Sequence, residues 1–141
     1  MLMGEFEHAL DSKGRLFVPA KMRENLGPSF VVTKGGDGCL DVYPLEAWEK
    51  LKNSFAQKMM PKQTMRDVSR FIFGGACEVE PDKQGRILLP ANLRTYARIG
   101  ETALIVGVGG KAEIWDAQRY ADYTKAVEGD VAELIEELDF E

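Results

Sequence analysis

Residues 11–23 read D-S-K-G-R-L-F-V-P-A-K-M-R, and residues 82–94 read D-K-Q-G-R-I-L-L-P-A-N-L-R. Six of the thirteen positions are identical: Asp11/Asp82, Gly14/Gly85, Arg15/Arg86, Pro19/Pro90, Ala20/Ala91 and Arg23/Arg94. Four more exchange one apolar residue for another. Outward from these stretches the match continues with small gaps. Leu26-Gly27 answers Ile99-Gly100, Phe30-Val31-Val32 answers Ala103-Leu104-Ile105, and Val42-Tyr43 answers Ile114-Trp115. The chain therefore holds two copies of one unit about 71 residues apart, and its fold is that of a duplicated element.

Each copy reads the same way. Glu5–Leu10 and Ala76–Glu80 are short strands. Asp-x-x-Gly then marks a tight turn, where Asp bonds the backbone ahead and Gly supplies positive φ. Arg15–Val18 and Arg86–Leu89 are the returning strands. Pro19 and Pro90 suit the first turn of a short helix that Gly27 or Gly100 caps. An apolar strand (Phe30–Thr33; Ala103–Val106), a Gly-rich turn and another strand (Leu40–Tyr43; Ala112–Trp115) complete the unit.

A longer helix follows each copy. Leu45, Trp48, Leu51, Phe55 and Met59 form an apolar stripe in the first, and Ala117, Tyr120, Thr124 and Val127 a weaker one in the second. Pro61 breaks the first helix, and Thr64-x-x-Asp67 resembles a capping box that opens a short helix to Arg70. Near the end Val131, Leu134, Ile135 and Leu138 share one face of an acidic helix, which either the chain's own body or a neighbouring subunit must cover. Strands this short make no large sheet separately. Interlocking the two halves about an approximate two-fold buries more apolar surface than either half alone.

At 141 residues, 45% hydrophobic and 29% charged, the chain has enough apolar side chains for a real core. No stretch approaches the roughly 20 apolar residues of a membrane helix, and the start lacks the pattern of a signal peptide. Cys39 and Cys77 have no partner at metal-ligand spacing, so a reducing compartment is expected, with neither a disulfide framework nor a bound metal. Taken whole, the net charge of −5 argues against nucleic acid. Seven acidic and no basic residues lie in 128–141, however, and without them the net is +2. Residues 1–71 alone carry 11 basic and 9 acidic side chains. Because salt screens charges beyond roughly 8 Å, a locally basic surface stays compatible with the overall sign.

Little in the sequence suggests catalysis. His8, the only histidine, has no Ser or Cys placed beside it by a motif and reads as a strand residue. Gly107-Val-Gly-Gly110-Lys111 fails the phosphate-loop spacing and reads as a hairpin turn, as does Gly35–Gly38. No paired acid and base emerge from spacing, and no cofactor or small-molecule substrate is indicated. The Asp-x-x-Gly-Arg turns stand apart because they occur twice at one structural position. A two-fold would place Arg15 and Arg86 on related loops of one face. Ser12, Lys13 and Lys83 adjoin them, and Lys21, Arg23, Arg94 and Arg98 lie on the following short helices. Small loops with Arg, Lys and a permissive Gly suit phosphate and guanine-edge contacts. The expected DNA-binding residues are Lys13, Gly14, Arg15, Lys83 and Arg86. Lys21, Arg23 and Arg94 are auxiliary phosphate contacts, while Asp11 and Asp82 form the turns and orient the arginines.

At these residues the chain resembles the MraZ family of bacterial transcriptional regulators. The likeness covers nearly the whole length, including Gly4, the run from His8 to Lys21, R-F-I-F-G-G-A from Arg70, and D-K-Q-G-R from Asp82. Leu2 departs from it, standing where an aromatic is common in the family. The resemblance implies tandem AbrB/MazE-like swapped-hairpin β-barrel halves, mainly β with flanking helices, forming a pseudo-dimer within one chain. It also implies ring-shaped homo-oligomers that bind repeated double-stranded DNA sites upstream of the division and cell-wall gene cluster, in the cytoplasm and nucleoid. Lys13 and Lys21 are matched by Gln84 and Asn92, which favours the first loop as the stronger contact.

The expected organisation is a first half at 5–47, connecting helices at 48–75, a second half at 76–119 and an acidic helix at 120–141. The leading reading is a non-enzymatic, sequence-specific DNA-binding regulator with no membrane association. Its rival is an antitoxin-like protein-interaction module using the acidic C-terminal helix on a basic partner.

Overall fold

The two copies exchange their first strands. The computed structural model describes residues 1–139, so Phe140 and Glu141, the last of the segment expected to form the acidic helix, lie outside the described residues. The elements run β1 (Leu2–Ala9), β2 (Arg15–Phe17), α1 (Ala20–Leu26), β3 (Phe30–Lys34), β4 (Leu40–Pro44), α2 (Leu45–Ala56) and α3 (Lys62–Ile72). The second copy follows with β5 (Cys77–Val79), β6 (Arg86–Leu88), α4 (Ala91–Tyr96), β7 (Thr102–Gly109), β8 (Ala112–Asp116) and α5 (Ala117–Leu138).

One antiparallel sheet has the order β1-β7-β8-β4-β3-β5, and β2 pairs with β6 in a separate ribbon. Strand β1 of the first copy thus lies on β7 of the second, and β5 of the second lies on β3 of the first. The registers agree: His8 faces Ala103 as Val79 faces Phe30, and Phe6 faces Ile105 as Cys77 faces Val32. At the centre β4 meets β8 symmetrically about Asp41 and Glu113. The architecture is therefore mainly β with helices, two tandem halves interlocked as a pseudo-dimer. Among the described residues the pairings leave β1 and β5 as sheet edges and close no barrel.

Alternation along the strands covers both faces. Phe30, Val32, Leu40, Val42, Ile105 and Ile114 enter a core shared with Leu16, Ile87, Met22 and Leu93, drawn from both copies. On the other face Leu104, Val106 and Trp115 receive Ala117 and Tyr120 of α5. In the first copy Trp48 of α2 packs on Tyr43 and Phe73, and Phe55 also meets Phe73. Trp48 and Phe55 are thus half-buried on their own chain, while Leu45 at the head of the stripe stays exposed.

Several boundaries depart from the sequence expectations. Strand β1 starts at Leu2, because Gly4 turns to φ +94° within it and opposes Gly107, where a side chain would collide with the Leu2 and Met3 backbone. Pro19 and Pro90 stand just before their helices rather than inside them. Helix α2 ends at Ala56, so Met59 leaves the stripe and is exposed. No capping box forms at Thr64: Pro61 precedes α3, and Asp67 bonds Gln63 and Arg70 along the helix. Gly107 and Gly109 belong to β7, leaving Gly110-Lys111 as the turn. Helix α4 stops at Tyr96, and Arg98 follows off the helix at φ +53°, whereas α1 is closed by Gly27 at φ +92° and ψ 179°. Gly100 instead donates its N–H to the Asp116 carboxylate. The acidic helix expected from 120 begins three residues earlier, and α5 runs unbroken from Ala117 to Leu138.

Candidate nucleic-acid interface

Each Asp-x-x-Gly-Arg segment folds around its own aspartate. The Asp11 carbonyl accepts from Gly14 N, and Asp11 N donates to Arg15 O, both at 3.0 Å. Its Oδ1 accepts the N–H groups of Lys13 and Arg15 at 2.9 Å, and its Oδ2 accepts Arg15 Nε at 2.6 Å. Asp82 repeats the pattern with Gln84 N, Arg86 N and Arg86 Nε, all at 2.9 Å. Ionised carboxylates accept these three donors most strongly. Asp11 is held down to about 2, chiefly by the Arg15 backbone N–H and further by the Arg15 guanidinium, and Asp82 is lowered for the same reasons around Arg86.

The two turns are built into each other. In the β2–β6 ribbon Arg15 faces Leu88 and Phe17 faces Arg86. Val18 N donates to Gly85 O at 2.8 Å, and Leu89 N donates to Gly14 O at 3.1 Å. Arg86 Nη1 lies 3.7 Å from Asp11 Oδ2, so Asp11 faces both arginines. Gly14 and Gly85 are buried at φ +80° and +81°. A Cβ on Gly14 would sit 2.7 Å from Cζ of Arg94, a residue of the other copy, and one on Gly85 would sit 3.1 Å from Cζ of Arg23. Each helix arginine is fixed by its Nε, Arg23 on Val18 O at 2.9 Å and Arg94 on Leu89 O at 3.0 Å. The arginine of one copy thereby roofs the turn of the other.

The structure thus gathers Arg15, Arg86, Arg23 and Arg94 around one ribbon. Lys13 and Lys83 stand exposed on the two turns, and Lys21 is exposed on α1. Arg23 and Arg94 are half-buried and hold the turns, a role that spacing alone did not give them. The signal was their identity at matching repeat positions. His8 lies on β1 with its ring 5.4 Å from that of Phe17, a packing contact.

Away from the ribbon, Cys39, Asp41 and Glu113 bring their donor atoms within 4.8 Å of one another. Lys111 Nζ, 3.0 Å from Asp41 Oδ2, answers that charge, while burial pushes the Cys39 thiol up to about 12 and keeps it protonated. A protonated thiol beside a resident ammonium is a poor metal ligand.

A family model described as "MraZ protein, putative antitoxin-like" matches this chain twice, over residues 1–71 and 72–138. The chain belongs to the MraZ family. The two MraZ segments meet between Phe71 and Ile72, so each contributes one Asp-x-x-Gly-Arg turn and one roofing arginine. Curated relatives agree over the full length. A protein of Heliobacterium modesticaldum is 46% identical over 98% of this chain and 96% of its own. One of Desulfitobacterium hafniense strain Y51 is 49% identical with the same coverage. Another, of Symbiobacterium thermophilum, is 49% identical over 98% of this chain and all of its own. All three carry the name "Transcriptional regulator MraZ".

Proposed function

We propose that this MraZ-family chain is a non-enzymatic transcriptional regulator that binds double-stranded DNA through its paired Asp-x-x-Gly-Arg turns. The observation that carries the reading is the aspartate-braced pair of arginines on one two-fold ribbon. Asp11 and Asp82 engage the Nε atoms, and among the described residues no hydrogen bond uses the terminal nitrogens of Arg15. A guanidinium fixed at Nε and free at its tip is pre-organised for a phosphate or for the O6/N7 edge of guanine. Lys13, Lys83 and Lys21 add phosphate contacts as point charges, and Arg23 and Arg94 combine roofing with the same chemistry. One chain offers roughly two to four phosphate contacts, too few for tight binding at physiological salt. A homo-oligomeric ring presenting several ribbons to repeated sites gains avidity. By family resemblance the targets lie upstream of the division and cell-wall gene cluster, and the protein works in the cytoplasm at the nucleoid.

Fluorescence-anisotropy titration tests this, with DNA from upstream of that cluster beside scrambled DNA at several salt concentrations. The expected result is preferential, salt-sensitive binding that Arg15→Ala weakens by about 1–3 kcal/mol. An oligomeric wild type that treats both DNAs alike defeats the reading. A second reading, an antitoxin-like interaction module, draws on the exposed acidic end of α5. Deleting residues 129–141 would then abolish partner binding and spare DNA binding.

A further inference from the structure

Helix α5 outruns the sheet it packs on. Tyr120 and Tyr123 stack near Trp115, with ring centroids 5.4 and 5.2 Å away. Every residue from Glu128 to Leu138 is exposed, a length of roughly 16 Å at about 1.5 Å per residue. Within it Val131, Leu134, Ile135 and Leu138 share one face and are 43%, 54%, 52% and 65% exposed. A helical extension this short, with an apolar stripe in water, gains little stability by itself. Its flanks carry Glu128, Asp130, Glu133, Glu136 and Glu137 and no basic residue, so pairing two such helices from two copies would set like charges together.

The complementary surface is on the same chain. Residues 50–71 hold six basic side chains and one acidic one. Lys62, Arg66 and Arg70 recur every fourth residue on α3 and so share a face. Met59 and Phe71 lie exposed near them in sequence, at 98% and 38%. The exposed Arg70–Asp67 pair at 3.4 Å is a weak competitor for that charge. We propose that the distal half of α5 docks on the α3 face of a second copy of this chain. Its carboxylates meet Lys62, Arg66 and Arg70, and its apolar stripe covers Met59 and Phe71. The two surfaces differ, so the contact is head-to-tail, the kind that closes a ring when the rotation permits. The inference rests on the homo-oligomeric reading above and assigns its surfaces.

Sedimentation velocity on full-length protein without DNA tests it, using two charge-reversed variants. One carries Glu133→Lys, Glu136→Lys and Glu137→Lys, and the other carries Lys62→Glu, Arg66→Glu and Arg70→Glu. All six positions are exposed, and circular dichroism checks the fold. Each variant alone should need roughly 100-fold more protein to assemble, because like charges then face each other across the contact. Mixed in equal amounts they should assemble again, since each supplies what the other lacks. The contact is overturned if the α3 variant alone assembles like wild type, including the case in which it loses only DNA binding, or if mixing restores nothing. A wild type that stays monomeric at every concentration removes the homo-oligomeric reading too, which separates the two failures.

Discussion

The two turns share a backbone and differ in what surrounds it. Both place Asp, Gly and Arg alike, with matching hydrogen bonds and φ within a degree at glycine. Around that frame the first carries Ser12 and Lys13 where the second carries Lys83 and Gln84. Asp11 faces Arg15 at 2.6 Å and Arg86 at 3.7 Å, whereas Asp82 holds Arg86 alone. The roof is also tighter over Gly14 than over Gly85. Geometry that the fold depends on is thus held in common, while charge that a ligand would read has been free to diverge.

The largest expected difference lies at the roofs. Gly14→Ala and Gly85→Ala both force a side chain into positive φ, a strain of about 1–3 kcal/mol. Gly14→Ala must also displace the Arg94 guanidinium, so thermal denaturation should show the greater loss there. Equal losses would mean that Arg94 swings aside freely.

A smaller effect separates the aspartates. NMR titration of the side-chain carboxyls should find Asp11 at about 2, against an ordinary 3.8, and Asp82 lowered as well. The sign follows from the depression. The contribution of Asp11 is fully present above pH about 4 and is lost as pH falls toward 2. Arg15→Ala should raise the Asp11 value, and an unchanged value would show that the guanidinium adds nothing to the backbone donors.

The smallest effect reverses the sign of the first. Gly129 sits in exposed helix with open space where its side chain would be. Gly129→Ala should therefore stabilise by about 0.5–1 kcal/mol. A loss would show that α5 needs to bend there.

Much of this was legible in the residues themselves. Gly14, Gly85, Pro19 and Pro90 recur because each fixes a local conformation, so the turns and helix starts could be read from spacing. The interlocking of the halves was expected, but that β1 and β5 carry it was not, since nothing in the residues of a strand says which copy's partner it takes. The roofing arginines were hidden for the same reason: Arg23 looks solvated until the turn of the other half is beneath it. Helix α5 carries one continuous stripe, Ala117, Tyr120, Thr124 and Val127 leading into Val131, Leu134 and Leu138 at alternating spacings of three and four, and only its packed and unpacked halves could not be told apart from spacing. The aspartate-arginine brace was nearer the surface of the text, because Asp and Arg lie four residues apart in a tight turn.

The exchange also bears on how the molecule is made. Strand β1 is made well before its partner, which runs antiparallel from Gly109 opposite Leu2 to Thr102 opposite Ala9. About 100 residues must be synthesised between them, which takes roughly 5–20 s at 5–20 residues per second. Throughout that interval the nascent β1 is a strand without its β7 partner. Glu5 and Glu7, spaced two apart along it, put charge on one face and discourage neighbouring nascent chains from pairing there first.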